Sequence, residues 1–333
     1  MKTLKNLTLP FRILLAVITA YVLSWLMPRR GLYLDPQAGD DNTLNHYVNK
    51  WDDDIKMVFQ QKTSRLEQTV TADYSVIGYA KSFDTLGQAD MQPVETRNED
   101  IRPLNLAAGR RWIDLSDFDW PDYIDSFDKL KVLEDPTNKY VQAGTAAANR
   151  RKDKTIIDAA LGSARNTTGF GANIVTTMVA LPDTQTILHG GTNISIAKLR
   201  AAKEILDTVE AGTEEGEERT FVYTANQLNV LLDDNKLTSH DWNNVKALVD
   251  GSVDYYLGFN WKRVQSLPKD AGGVRTNLIY VKSAVGLAVG EDVSTDVSQR
   301  KDKRGMPWQV YIKMSLGAVR GQDIGVVAIQ CQE

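Results

Sequence analysis

The sequence predicts an α+β fold. Three observations carry that prediction: one long helical stretch from Pro136 to Leu161, a pair of strand-like stretches joined by a long polar tip, and a C-terminal part rich in strands. The 333 residues suffice for about two domains and a sizeable core. Charged residues make up 25% and apolar ones 42%, the balance of an ordinary globular protein. A net charge of −4 argues against nucleic-acid binding through a broad basic face. Cys331 is the single cysteine, which excludes an intramolecular disulfide.

Residues 1–42 read as a hydrophobic extension. Phe11 to Met27 (FRILLAVITAYVLSWLM) carries one charge, Arg12, and sits at the lower limit for a membrane span. No small-x-small cleavage site follows it. Three readings stay open here: a signal anchor, a buried arm, or an upstream stretch irrelevant to the working protein. From Thr43 to Gln61, Leu44, Tyr47, Val48, Trp51, Ile55, Val58 and Phe59 form one stripe at helical spacing, so a helix is expected. Thr69 to Phe83 is rich in β-branched and aromatic residues and reads as one strand. The polar stretch Thr85–Ala108 then leads to a second strand near Arg110–Leu115. So long a tip is uncommon inside a compact domain and makes sense as an arm reaching a neighbouring subunit.

The helix from Pro136 to Leu161 spans about 39 Å at 1.5 Å per residue. Asp135 can cap it, Pro136 suits its first position, and Gly162 can close it. Only Gly144 interrupts it. Its many alanines, Ala147 among them, predict close packing against something flat. A short strand is expected at Ile174–Leu181 and a helix at Ser195–Val209. The strand FVYTA, a short helix Gln227–Leu232 and a helical stretch near His240–Val249 come next. Strands near Asn277–Val281, Gly290–Gln299, Gln309–Gly317 and Ile324–Ile329 end the chain.

No motif points to catalysis. Gly169-Phe-Gly171 lacks both the third glycine and the preceding strand of a dinucleotide fingerprint. His189-Gly-Gly191 has no G-x-S-x-G nucleophile to serve. His46, His189 and His240 are scattered, so no zinc site is expected, and no cofactor is implied. Asp114, Asp117, Asp119, Asp122, Asp125 and Asp128 form a dense acidic series, but Trp120 and Pro121 are incompatible with a calcium loop. The default reading is a solvated face, or one that pairs with cations of a neighbouring subunit. Arg150, Arg151, Lys152 and Lys154 supply the matching basic cluster. Asp117, Asp122, Asp125, Arg150, Arg151 and Lys154 are therefore the candidate inter-subunit contacts.

The order of several short motifs carries a resemblance. These are D-x-D-W-x-D-x-I-D (Asp117–Asp125), D-K-L (Asp128–Leu130), D-P-T (Asp135–Thr137) and Tyr140 before the Ala-rich helix. Lys282-Ser-Ala284-Val-Gly286-Leu-Ala288, Gly317-Ala-Val-Arg320 and Gly325-Val-Val-Ala-Ile329 complete the set. Over residues 43–331 the chain resembles the major capsid protein of tailed double-stranded DNA bacteriophages, with the Hong Kong 97-like shell fold. The resemblance implies an N-terminal arm helix at 43–62, an extended loop at 63–115 that overlaps the adjacent subunit, and a peripheral domain at 116–219 with a spine helix at 136–161. It further implies an axial domain at 220–290 and return strands at 291–333. It implies a non-enzymatic protein that assembles with itself into hexamers and pentamers of an icosahedral head. That head encloses double-stranded DNA without sequence-specific binding. A separately encoded scaffolding protein, a portal and decoration proteins would be partners, with assembly in the host cytoplasm and a final place in the virion. The alternative is a membrane-anchored or exported α+β binding protein, favoured only by residues 11–27.

Overall fold

The computed structural model describes residues 57–93, 96–97, 100–101, 103–104, 106, 108–126, 137–168, 174–214, 216–232 and 255–333. The hydrophobic extension, most of the helix expected at 43–61, Asp128, Asp135, Pro136, Gly169–Gly171 and the helical stretch near His240–Val249 lie outside the described residues. In chain order the elements are β1 (Thr71–Tyr74), β2 (Ala80–Leu86), β3 (Ala108–Asp114), β4 (Ser116–Ile124), α1 (Thr137–Leu161), β5 (Ala164–Thr168), β6 (Val175–Val179) and β7 (Thr186–Ile187). There follow α2 (Ile196–Thr208), β8 (Arg219–Tyr223), α3 (Ala225–Leu232), β9 (Tyr255–Tyr256), β10 (Phe259–Arg263), β11 (Val274–Val281), β12 (Val285–Gln299), β13 (Trp308–Arg320) and β14 (Val326–Gln332). The class is α+β.

The strands of the described residues form three sheets with orders β1-β12-β13-β4, β7-β14-β11-β8-β10-β9 and β2-β3-β5-β6. The long β12–β13 hairpin is the floor on which α1 lies. Strand β12 is buried continuously over Val285–Val289, and alternation along β13 buries Val310, Ile312, Met314 and Leu316. The six-stranded sheet buries Phe221, Leu278, Tyr280, Val327 and Ile329, with α2 covering it through Leu199, Ala202 and Leu206. Ser195 caps α2 by accepting from the Lys198 amide at 3.4 Å.

Helix α1 is buried on two sides. Gly144, Ala148, Lys152 and Ile156 recur at fourfold spacing along one, and Ala146, Asp153, Ile157 and Ala160 along the other. Gly144 is required by close approach. A Cβ there would meet the Trp120 ring at 2.6 Å and crowd Ile312 Cδ1. Alanine would gain about 1 kcal/mol of helix propensity, but overpacking costs about 1–3 kcal/mol. Gly144→Ala is expected to lower the melting temperature, and a rise would show that α1 does not press on Trp120. Ala147, by contrast, is only half-buried and lines a shallow groove, so the expectation that it belongs to the tightly packed side is corrected.

Three other expectations change. Residues 57–61 are not helical, so the helix expected through Gln61 does not extend that far. The single strand expected at Thr69–Phe83 is two strands in different sheets. Positive φ at Ser75 (64°) and Gly78 (117°) turns the chain between them: β1 pairs in parallel with β12 and β2 pairs with β3. The acidic series, to which no strand is assigned above, is largely the regular strand β4.

Candidate functional site

Nothing in the described residues assembles a catalytic group, and no cluster of three or more His, Cys, Asp or Glu is placed to hold a cation. His189 accepts from the Gly191 amide at 3.0 Å in a turn whose two glycines have positive φ. What the fold builds instead is a set of polar nodes that fix an arm to a body, together with the surfaces those nodes orient.

The first node sits at the C-terminal end of α1. Arg320 is fully buried at the end of β13. Its Nη1 donates to the carbonyls of Ala160 (3.0 Å) and Gly162 (2.6 Å), and its Nη2 to Val179 O (2.9 Å). The first two are carbonyls that the end of α1 leaves unpaired, the third ends β6, and the cation also meets the negative end of the helix dipole. Nε donates to Asp323 Oδ1 at 2.6 Å, and the other oxygen of Asp323 accepts from Arg111 Nη2 at 2.7 Å. Arg111 lies on β3, in the arm, so one carboxylate ties arm, helix end and body together.

A second anchor is apolar. Phe83 of β2 occupies a slot floored by Gly286 and Gly321. A Cβ on Gly286 would stand 2.8 Å from its ring, and one on Gly321 would collide with it.

The third node lies midway along α1. Asp153 is buried and accepts from Ser64 Oγ (2.6 Å), from the amides of Arg65 and Leu66 (3.1 Å each), and from Gln61 Nε2. Adjacent Lys152, also buried, bridges Glu67 (2.9 Å) and Asp292 (2.8 Å). Burial pulls the Lys152 ammonium down, but the hydrogen bonds it donates to Asp292 and Glu67 outweigh that, so its pKa is raised. The same bond, opposed by burial, holds Asp292 below the usual carboxylate range. Thus residues 61–69 lie along the helix, clamped by charge-assisted bonds.

The candidate contacts are placed as follows. Asp117 and Asp119 are exposed on β4, an edge strand. Asp122 faces the half-buried side with Phe118 and Trp120, and burial raises its pKa. Asp125 follows β4. Arg150 donates to Gln60 Oε1 (2.7 Å) and Gln61 O (3.1 Å) of its own chain. The Arg151 guanidinium lies 4.1 Å from the Phe118 ring centroid, and Lys154 is exposed. Sequence reasoning missed Arg320, Asp153 and Arg111. The one signal was the arginine that closes the motif Gly317-Ala-Val-Arg320.

The β2–β3 pair and the stretch between its strands carry much of the exposed apolar surface. The β2–β3 pair runs in register from Ala80↔Asp114 to Leu86↔Ala108. Beyond it, Met91 and Ile101 are 98% and 94% exposed, and Leu104 and Leu106 are also open to solvent. The sheet face behind the tip is an open concavity of about 810 Å³. On it, Trp112 stands between the guanidinium groups of Arg110 and Arg165, 5.8 and 5.5 Å from its ring centroid.

Comparison with known proteins addresses this architecture. A family model described as phage capsid protein matches residues 44–333. Among solved structures, the capsid of Ralstonia phage GP4 aligns with a TM-score of 0.65 at 14% identity, over 90% of this chain and 96% of that one. The capsid structure of the cyanophage P-SCSP1u aligns at 0.64 and 15% identity, over 91% and 98%. The head structure of Helicobacter pylori bacteriophage KHP40 aligns at 0.62 and 12% identity, over 92% and 99%. At these identities the structural likeness speaks for the fold. A search of curated proteins finds no match. None of the described helices is long and apolar enough to cross a membrane.

Proposed function

This chain belongs to the phage capsid protein family and is a structural major capsid protein, and we propose that it closes into an icosahedral head as hexamers and pentamers around double-stranded DNA. The observation that carries this reading is the family match over nearly the whole folded chain. The arm supports it: a two-stranded projection tipped with bare Met91 and Ile101 is a poor feature for a free monomer, and it is explained if a neighbouring subunit covers it. The role is non-enzymatic. Assembly takes place in the host cytoplasm on a separately encoded scaffolding protein, with portal and decoration proteins added to the head.

Contacts between subunits are individually modest, and the shell holds because each is repeated in every copy. Residues 63–115 serve as the extended loop, 116–219 as the peripheral domain and 220–290 as the axial domain, with 291–333 returning to both. Asp117 and Lys154, which are exposed, are the members of the charged set best placed to meet a neighbour. Asp122, Asp125, Arg150 and Arg151 are the supporting members.

Electron microscopy of the purified protein, alone and with its scaffold, tests the reading. Hexameric rings or closed shells are expected. Discrete monomers at every concentration, soluble only in detergent, would favour an anchored binding protein instead.

A further inference from the structure

Among the described residues, the three open sheets present six edges, and five are guarded against pairing with another chain. Strands β7 and β9 are two residues long. Strand β1 has four residues and carries Asp73, paired with Lys81. On β2 stand Lys81 and Asp84, and on β4 stand Asp117, Asp119 and Pro121. Edge β6 has none of these devices. Its sequence, Val175-Thr-Thr-Met-Val179, has no charge and no proline, and it pairs with β5 without a register shift. Its first four residues are exposed, Val175 and Met178 by 55% and 66%.

We infer that the free edge of β6 receives an extended segment of a second copy, residues 57–61, as a fifth strand of the sheet β2-β3-β5-β6. This rests on the assembly reading above and names one of its contacts. The occupant follows from what this chain leaves bare. Met57-Val-Phe-Gln-Gln61 is uncharged, non-helical and of the same length as β6. Val58 and Phe59 are among the most exposed apolar side chains described, at 84% and 106%. The clamp on Asp153 and the Arg150 bonds to Gln60 and Gln61 hold the end of this segment against its own helix, which presents Val58 and Phe59 outward. Main-chain hydrogen bonds would supply the affinity and alternate side chains the specificity. On one face of the sheet, Trp112, Arg165 and Met178 stand in a row across β3, β5 and β6, so an apolar side chain of the added strand continues an existing surface.

Two measurements test it. First, Thr177→Lys places a guard charge on this edge. It should leave the subunit melting temperature unchanged and raise the concentration needed for shells by about tenfold or more, the effect of losing roughly 1.4 kcal/mol of contact. Second, Phe59→Cys and Thr177→Cys are made on separate chains, mixed, assembled and oxidised near pH 8. The native Cys331 does not compete, because it is fully buried and its thiol is pushed up to about 11. A disulfide between the two variants, formed in shells and not in free subunits, is expected. Cross-linking of Thr177→Cys only to itself would show β6 meeting β6 and overturn the occupant. Wild-type assembly thresholds for Thr177→Lys, with no cross-link, would overturn the site while leaving the assembly reading intact. Failure of the wild-type chain to form shells would overturn that reading itself.

Discussion

Replacing Arg320 by methionine is expected to destabilise the subunit by about 3–5 kcal/mol, the cost of breaking a buried ion pair from one side. Methionine fills much of the same volume, so the loss reports on hydrogen bonds more than on packing. Three carbonyls, those of Ala160, Gly162 and Val179, lose their donor at once. Asp323 keeps only Arg111. Arg320→Lys tests the geometry: an ammonium restores the charge but cannot fork toward several acceptors, so it should recover only part of the loss. Arg111→Met should cost less, because Arg111 is partly exposed and meets only Asp323 among the described bonds. Calorimetry of the three variants decides it. If Arg320→Met melts within about 1 °C of wild type, the helix end and the arm are not held through this node.

The backbone plan of the molecule is legible in its sequence wherever periodicity is strong. Helix α2 and the C-terminal strands follow from apolar spacing, and helix α1 from the cap and breakers at its ends. Strand β4 shows why the rest was hidden. Phe118, Trp120, Asp122 and Ile124 alternate as a half-buried strand requires, but the intervening aspartates and Pro121 resemble a loop. An edge strand tolerates both, since its outer side needs no ladder donor and benefits from charge. The helix expected through Gln61 failed for the opposite reason. Val58 and Phe59 keep the helical stripe, yet Asp153 and Arg150 capture the residues beside them, and tertiary bonds override local preference. Lys152, Asp153 and Arg320 look like surface charges because their partners are far away in sequence. Glu67 lies 85 residues from Lys152, and Ala160 lies 160 from Arg320. No local pattern encodes such a pairing.

Asp153 offers the second large effect, and it should be local. Removing its carboxylate in Asp153→Ala leaves the Ser64 hydroxyl and the amides of Arg65 and Leu66 without their acceptor inside the protein. Each orphaned buried donor costs about 1–3 kcal/mol. Part of that returns as the segment lifts into water, so a net loss of about 3 kcal/mol is expected. Lifting is the informative step. Besides this carboxylate, residues 61–69 touch the body through the fully buried Leu66 side chain, through Glu67 on Lys152, and through Thr69, whose hydroxyl lies 2.5 Å from that of Tyr280. Amide hydrogen exchange should therefore accelerate by tenfold or more, the equivalent of about 1.4 kcal/mol, across 61–69, with little change in β11–β14. Asp153→Asn retains an acceptor oxygen and should give a smaller acceleration of the same residues. The same release would undo the aim of Val58 and Phe59, so Asp153→Ala should weaken shell formation more than its melting temperature alone accounts for. Uniform acceleration across the whole chain would mean instead that Asp153 supports global stability and does not direct the segment.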